Sequence, residues 1–257
     1  MVTPVRYPGG ISNAAPWQFF SGMGVPNPFF YHQFADDFDT VPSTTVGWTP
    51  TGTVAAGTTD GGTVVLTTAA SAAAFSEIQR TNVSFQPVAG KKLYFVARVS
   101  LSDITNASLI AGLMPSTATP FTSPANGVWI TKPSGGTSFN LVVVNNSVTT
   151  TTVIPAAAIT IANNVAFDVG IYITNGQSNT LQGTTITASV GPTLVSYVPQ
   201  SGTGAANSTN RAPNVVSTAP LITTLQATVL APTLAVQTGN SSALTATFDF
   251  VGAFRER

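Results

Sequence analysis

Apolar and polar positions alternate in short runs along most of the chain. In KLYFVARVSLS (92–102), Leu93, Phe95, Ala97, Val99 and Leu101 fall on one side, with Tyr94, Arg98 and Ser100 on the other. A period of two predicts a strand with one buried face. Comparable β-branched or alternating runs are GTVVLTT (62–68), SLIAGLM (108–114), GVWIT (127–131), SFNLVVVNN (138–146), TTTTVIP (149–155) and VAFDVGIYIT (165–174). TTITASV (184–190), TLVSYV (193–198), TLQATVLA (224–231), TLAVQTG (233–239) and ALTATFDFVGAF (243–254) complete the series. Turn chemistry separates them: Gly61-Gly62, Asn145-Asn146, Asn175-Gly176 and Gly191-Pro192. The small-residue stretch 199–220 reads as a long loop. No segment holds a helical period over three turns. Strands with turn signals every ~8–12 residues predict an all-β, antiparallel two-sheet sandwich.

The first 33 positions break this pattern. Pro4, Pro8, Pro16, Pro26 and Pro28 interrupt any ladder, since proline lacks the donor and fixes φ. The segment nevertheless carries Tyr7, Trp17, Phe19, Phe20, Phe29, Phe30 and Tyr31, whereas disordered tails are poor in aromatics. Residues 1–33 are therefore read as an extended N-terminal arm and 34–257 as the sandwich. Fixing such an arm costs conformational entropy comparable to what its buried rings return. Its ordering is expected to need surface from a neighbouring molecule. The alternative is an arm folded back over one mouth of its own sandwich.

Composition narrows the function. Charged residues are 7% of the chain and the formal net charge is zero, so no basic face for nucleic acid is expected. No apolar run is long enough to span a bilayer. The chain has no cysteine, which removes disulfides, thiol catalysis and cysteine-ligated zinc. The N-terminus MVTPVRYPGG lacks the apolar core of an export signal, pointing to synthesis in the cytoplasm of the producing cell. A surface wetted by Thr, Ser, Asn and Gln suits dense packing in an assembly.

Catalytic constellations are sparse. The single histidine, His32, stands near Asp36, Asp37 and Asp39 in FFYHQFADDFDT. On a continuous strand, Asp37 and Asp39 would share a face and could reach a hard cation, which wants about 6–8 oxygens. The competing reading packs Phe34 and Phe38 inward and uses the aspartates to cap turns at the strand's entrance. A catalytic triad would have to use His32, in or beside a proline-rich arm. Glycoside hydrolysis needs two facing carboxyls, yet the only glutamates are Glu77 and Glu256, far apart in sequence. No catalytic residue, metal or cofactor is expected. Glu77 and Arg80, three apart, should point to opposite faces.

FADDFDT…VGWTP resembles the opening of concanavalin A-like (laminin G-like) jelly-roll domains. The close, APTLAVQTGNSSALTATFDFVGAFRER, resembles the last strands of jelly-roll decoration (cement) proteins on tailed-bacteriophage heads. The arm RYPGGISNAAPWQFF…VPNPFFYHQFADDF is similar to the start of such phage structural proteins. The resemblance implies a homotrimer on the outer surface of the virion capsid, bridging major-capsid subunits. In that setting Arg6, Tyr7, Trp17, Phe19, Phe20, Phe29, Phe30 and Tyr31 are the expected capsid contacts. Jelly rolls also include lectins, so a carbohydrate-binding module is the alternative, with Trp48, Trp129 and Tyr172 as stacking candidates.

Overall fold

Alternating sequence becomes paired strand throughout the computed structural model, which describes residues 31–58, 62–81, 85–88, 91–117, 119–122, 124–136, 138–154, 161–174, 185–191, 214–218 and 228–257. Early in the chain come β1 (Tyr31–Asp36), β2 (Trp48–Thr51), β3 (Thr53–Ala56), β4 (Val64–Thr67) and β5 (Phe75–Arg80). The middle holds β6 (Leu93–Leu101), β7 (Ala107–Met114), β8 (Gly127–Lys132), β9 (Phe139–Asn145) and β10 (Val148–Ile154). Last are β11 (Phe167–Thr174), β12 (Thr185–Gly191), β13 (Asn214–Thr218), β14 (Ala231–Thr238) and β15 (Thr245–Glu256). An eight-stranded sheet runs β13-β12-β11-β6-β15-β4-β3, with β1 also on β15. A seven-stranded sheet runs β10-β9-β8-β7-β14-β5-β2. Every pairing is antiparallel, and the chain passes repeatedly between sheets. The fold is a jelly-roll sandwich.

Inner faces of the two sheets supply one core. Leu93, Phe95, Ala97, Val99 and Leu101 all enter it, as their alternation predicted, against Leu109, Leu113, Ile130, Leu141 and Leu234 from the other sheet. Phe139 and Phe167 meet edge-on across the gap, with ring centroids 5.4 Å apart. At the opposite edge, Gly52 alone links β2 of one sheet to β3 of the other. Its φ of +80° lies in the left-handed region, and a side chain there would run into Ser76 and the Phe75 carbonyl. Ser76 ties the corner by accepting from Thr53 N at 3.2 Å and donating to the Thr67 carbonyl.

β15 is the organising strand. One of its edges takes β6; the other takes β4 along Thr245–Phe248 and β1 along Val251–Glu256. A bulge between Phe248 and Phe250 falls where the partner changes.

Several expectations need correction. β1 spans Tyr31–Asp36 and pairs Tyr31 with Glu256, so residues 31–33, expected in the arm, belong to the sandwich. β1 also stops at Asp36, so Asp37 and Asp39 are not same-face strand neighbours, and the aspartates stand at the strand's exit. Within the expected loop 199–220, Asn214–Thr218 forms β13 on β12, its Val215-Val216 pair being strand-favouring. Residues 1–30, Asn175-Gly176 and the run 193–198 lie outside the described residues.

Candidate functional site

The region around His32 is a structural corner. Phe34 and Phe38 point inward onto Trp48, at centroid distances of 5.6 and 5.8 Å. Asp36 secures both sides. Its Oδ1 accepts from Phe38 N at 2.9 Å, and its Oδ2 accepts from Trp48 Nε1 at 2.8 Å. The first bond closes a tight turn in which Phe38 has a φ of 58°. Arg80, inward on β5, lays its guanidinium over the Phe34 ring at 4.7 Å and near Trp48 at 5.5 Å. Burial lowers the Arg80 pKa and Asp36 opposes that shift. His32 sits against Phe85 at 4.8 Å. Asp37 and Asp39 are exposed. Among the described residues, no three His, Asp or Glu side chains converge as metal ligands do.

Trp48 is wholly enclosed in this corner and offers no ring face to a sugar, which corrects its candidacy for stacking. Trp129 and Tyr172 lie on outward faces of opposite sheets, so they do not form one site. On the seven-stranded sheet, Trp129 joins Ile110, Met114, Val142, Val144 and Ala235, with Phe121 packed against them. Trp129 is only 5% exposed. Its register partner on β7 is Gly112, where any side chain would strike the Trp129 backbone.

Beside that cluster stand two buried polar residues. Gln79 donates to Thr233 Oγ1 at 2.7 Å and to the Pro115 carbonyl, and accepts from Thr117 N. Glu77 is 2% exposed. One oxygen accepts from Thr51 Oγ1 at 3.2 Å, and the other has no partner among the described residues. Burial pushes its pKa up to about 7, with the Thr51 bond opposing. As expected, Glu77 and Arg80 face opposite ways on β5. Glu256 belongs to the other sheet, 3.7 Å from Lys92, so the two glutamates do not face each other. Lys132 turns inward at the end of β8, donating to the Ala107 and Pro133 carbonyls at 3.0 Å. Burial lowers its pKa to about 8, against the pull of Asp103.

The outward face of the eight-stranded sheet is an aromatic band. Gln33, Phe254, Tyr94 and Tyr172 line up in one register row across β1, β15, β6 and β11. Tyr94 and Tyr172 stack at 4.5 Å and 19°, and Val96, Phe250 and Phe254 pack with them. Burial, with help from Tyr172, raises the Tyr94 hydroxyl far above its usual range. Tyr31 lies half-buried at the end of β1; burial and then Glu256 raise its pKa. Arg98 borders the band, 3.1 Å from the enclosed Asp168 and 3.4 Å from Asp249 at the bulge. Of the expected capsid contacts, only Tyr31 is described. Arg6, Tyr7, Trp17, Phe19, Phe20, Phe29 and Phe30 lie outside the described residues.

Sequence reading missed Phe250 and Phe254 as surface aromatics. Period two puts Phe248 and Phe250 on one face, but the Asp249 bulge sends Phe248 into the core and Phe250 outward.

No family model matches the sequence, and no curated protein matches it. Among solved structures, peanut lectin with a nine-residue peptide is similar at a TM-score of 0.56 and 10% identity, over 88% of this chain and 97% of that one. An endo-1,3-beta-glucanase from Streptomyces sioyaensis is similar at 0.55 and 13%, over 91% and 99%. The CBM2 module of the evolved Dit of Lactobacillus casei BL23 phage J-1 is similar at 0.53 and 9%, over 88% and 96%. At these identities the likeness establishes the fold, a concanavalin A-like or legume-lectin-like jelly roll. These neighbours include both lectins and an enzyme.

Proposed function

We propose that this chain is a non-catalytic structural protein of a bacteriophage virion, decorating the outer capsid surface and bridging major-capsid subunits. One observation carries the reading. The outward face of the eight-stranded sheet carries an aromatic band, with Phe250, Phe254 and Tyr172 half-buried, and β1, the strand that follows residues 1–30, lies along that band's edge with Tyr31 at its end. The aromatic band and the aromatic-rich N-terminal segment are thus linked through β1 on a chain with very few charges. Trp17, Phe19, Phe20, Phe29, Phe30 and Tyr31 would fill apolar clefts between shell subunits, with Tyr7 a further contact and Arg6 a charged one. Cementing needs no reaction. Contacts to several subunits must open together to release, so modest individual contacts yield high avidity.

A second reading, carbohydrate binding on the virion surface, is favoured by the fold shared with lectins and with the CBM2 module of a phage Dit. It would use Tyr172 or Trp129, with Trp48 ruled out by enclosure.

Co-sedimentation with undecorated shells separates the two. The full chain is expected to pellet with shells, and the combined Trp17→Ala, Phe19→Ala and Phe20→Ala variant to lose at least tenfold in affinity. Tyr172→Ala and Trp129→Ala should leave glycan-array signals at background because none exist in the parent. Unchanged shell binding by the arm variant sinks the attachment role of the arm. Glycan signals that vanish on Tyr172→Ala or Trp129→Ala favour the second reading.

A further inference from the structure

We infer that β10 is a self-association edge, pairing antiparallel with β10 of a second copy about a two-fold axis through Thr151. β10 closes the seven-stranded sheet on one side, with β9 as its only ladder partner among the described residues. The β9–β10 turn is two residues long, Asn146 and Ser147, both with positive φ (51° and 65°). Such a turn is closed by a hydrogen-bonded pair, here Asn145 and Val148, and bonded pairs then alternate. Val148, Thr150, Thr152 and Ile154 therefore aim N–H and C=O at β9. Thr149, Thr151 and Val153 aim theirs away from it. Among the described residues these outward groups have no hydrogen-bond partner. β13 of the other sheet passes near β10 but pairs with β12.

Natural edge strands are guarded by charge, proline, bulges or shortness. β10 has seven residues, VTTTTVI, with none of these guards. The other described edges differ. β2 has four residues including Pro50, β3 has four, and β13 has five. β1 carries Asp36 and lends its Tyr31 carbonyl to Arg257 Nε at 3.2 Å. β10 also leaves Val148 70% and Val153 58% exposed.

A second copy of the same strand fits this edge best in the register that uses all three outward residues. A two-fold axis perpendicular to the sheet must pair residues that share a face. Placing it at Thr151 sets Thr151 against its own counterpart and Thr149 against Val153. Those are the residues with outward backbone groups, so each pair exchanges both bonds. On the inner side the same register sets the exposed Val148 against Ile154, in a non-bonded pair where side chains approach most closely. The strand has no charge, so no repulsion opposes the contact. This symmetry is two-fold, unlike the three-fold association implied by the resemblance; with both present, trimers would be joined in pairs.

The cysteine-free chain permits a direct test. In the proposed register, position 151 meets itself at a Cα separation of about 5.5 Å, within the ~4.4–6.8 Å of disulfides. Position 149 lies about 14 Å from its counterpart, four residues along and one strand spacing across. Under mild oxidation, Thr151→Cys is expected to form a covalent dimer on a non-reducing gel, and Thr149→Cys to remain uncrosslinked. No crosslink at 151, or equal crosslinking at 149, overturns the register. Thr151→Pro removes only an outward donor and spares the β9–β10 ladder. By sedimentation equilibrium it should halve the wild-type mass; an unchanged mass overturns the association.

Discussion

Trp48→Ala is expected to lower the unfolding free energy by about 3–5 kcal/mol, the range for deleting a large buried aromatic. The side chain has no exposed surface and touches both β1 and the turn after it through Phe34 and Phe38. Its removal also takes away the donor to Asp36 Oδ2 and part of the surface beneath Arg80. Trp48→Phe separates these contributions. It keeps most of the apolar contact and loses the hydrogen bond, so its expected cost is about 1–3 kcal/mol. Urea unfolding followed by far-UV circular dichroism reads both. A loss below about 1 kcal/mol for Trp48→Ala would contradict the corner's role.

The second large effect is a pH dependence with two opposite slopes. Glu77 has its pKa raised from about 4.5 to about 7 in the folded protein, first by burial. The folded state therefore holds a proton that the unfolded chain has released. The stability this gives is complete below pH 4.5 and is lost as pH rises through 7. At ~1.4 kcal/mol per pKa unit, that loss is about 3 kcal/mol. Lys132 behaves in the opposite sense. Its pKa falls from 10.5 to about 8 on burial, so stability rises with pH between those values. That rise is also about 3 kcal/mol. Urea midpoints measured from pH 4.5 to 10.5 should trace a minimum near pH 7–8. Glu77→Gln should remove the falling limb and Lys132→Met the rising one. A wild-type slope that survives Glu77→Gln between pH 4.5 and 7 would assign the effect elsewhere.

How far these features could be read in the sequence depended on whether their cause was local. β6 was legible because one face is core and the other carries Tyr94, Arg98 and Ser100, so alternation reports burial directly. The Asn-rich β9–β10 turn was legible because positive φ favours asparagine. β5 was harder to see: FSEIQR buries Glu77 and Gln79 on its outward side, so its polar residues read as solvated. The start of β1 was hidden because its partner is the far C-terminal strand, a pairing that no local pattern encodes. The aromatic band was hidden by the one-residue bulge at Asp249. Trp48 illustrates a further limit. A tryptophan on a sandwich strand is compatible with a binding platform or a core plug, and only the Asp36 and Phe34 contacts decide it. Proline and aromatic content set residues 1–33 apart in the sequence, yet residues 31–33 lie in β1.

The proposed role rests on where the protein sits in the virion. Electron cryomicroscopy of shells saturated with the full chain tests this most directly. Density for the sandwich is expected on the outer capsid surface, above junctions between major-capsid subunits, with residues 1–30 reaching into the clefts below. Shells bare of that density, or the protein found only on the tail, would contradict it.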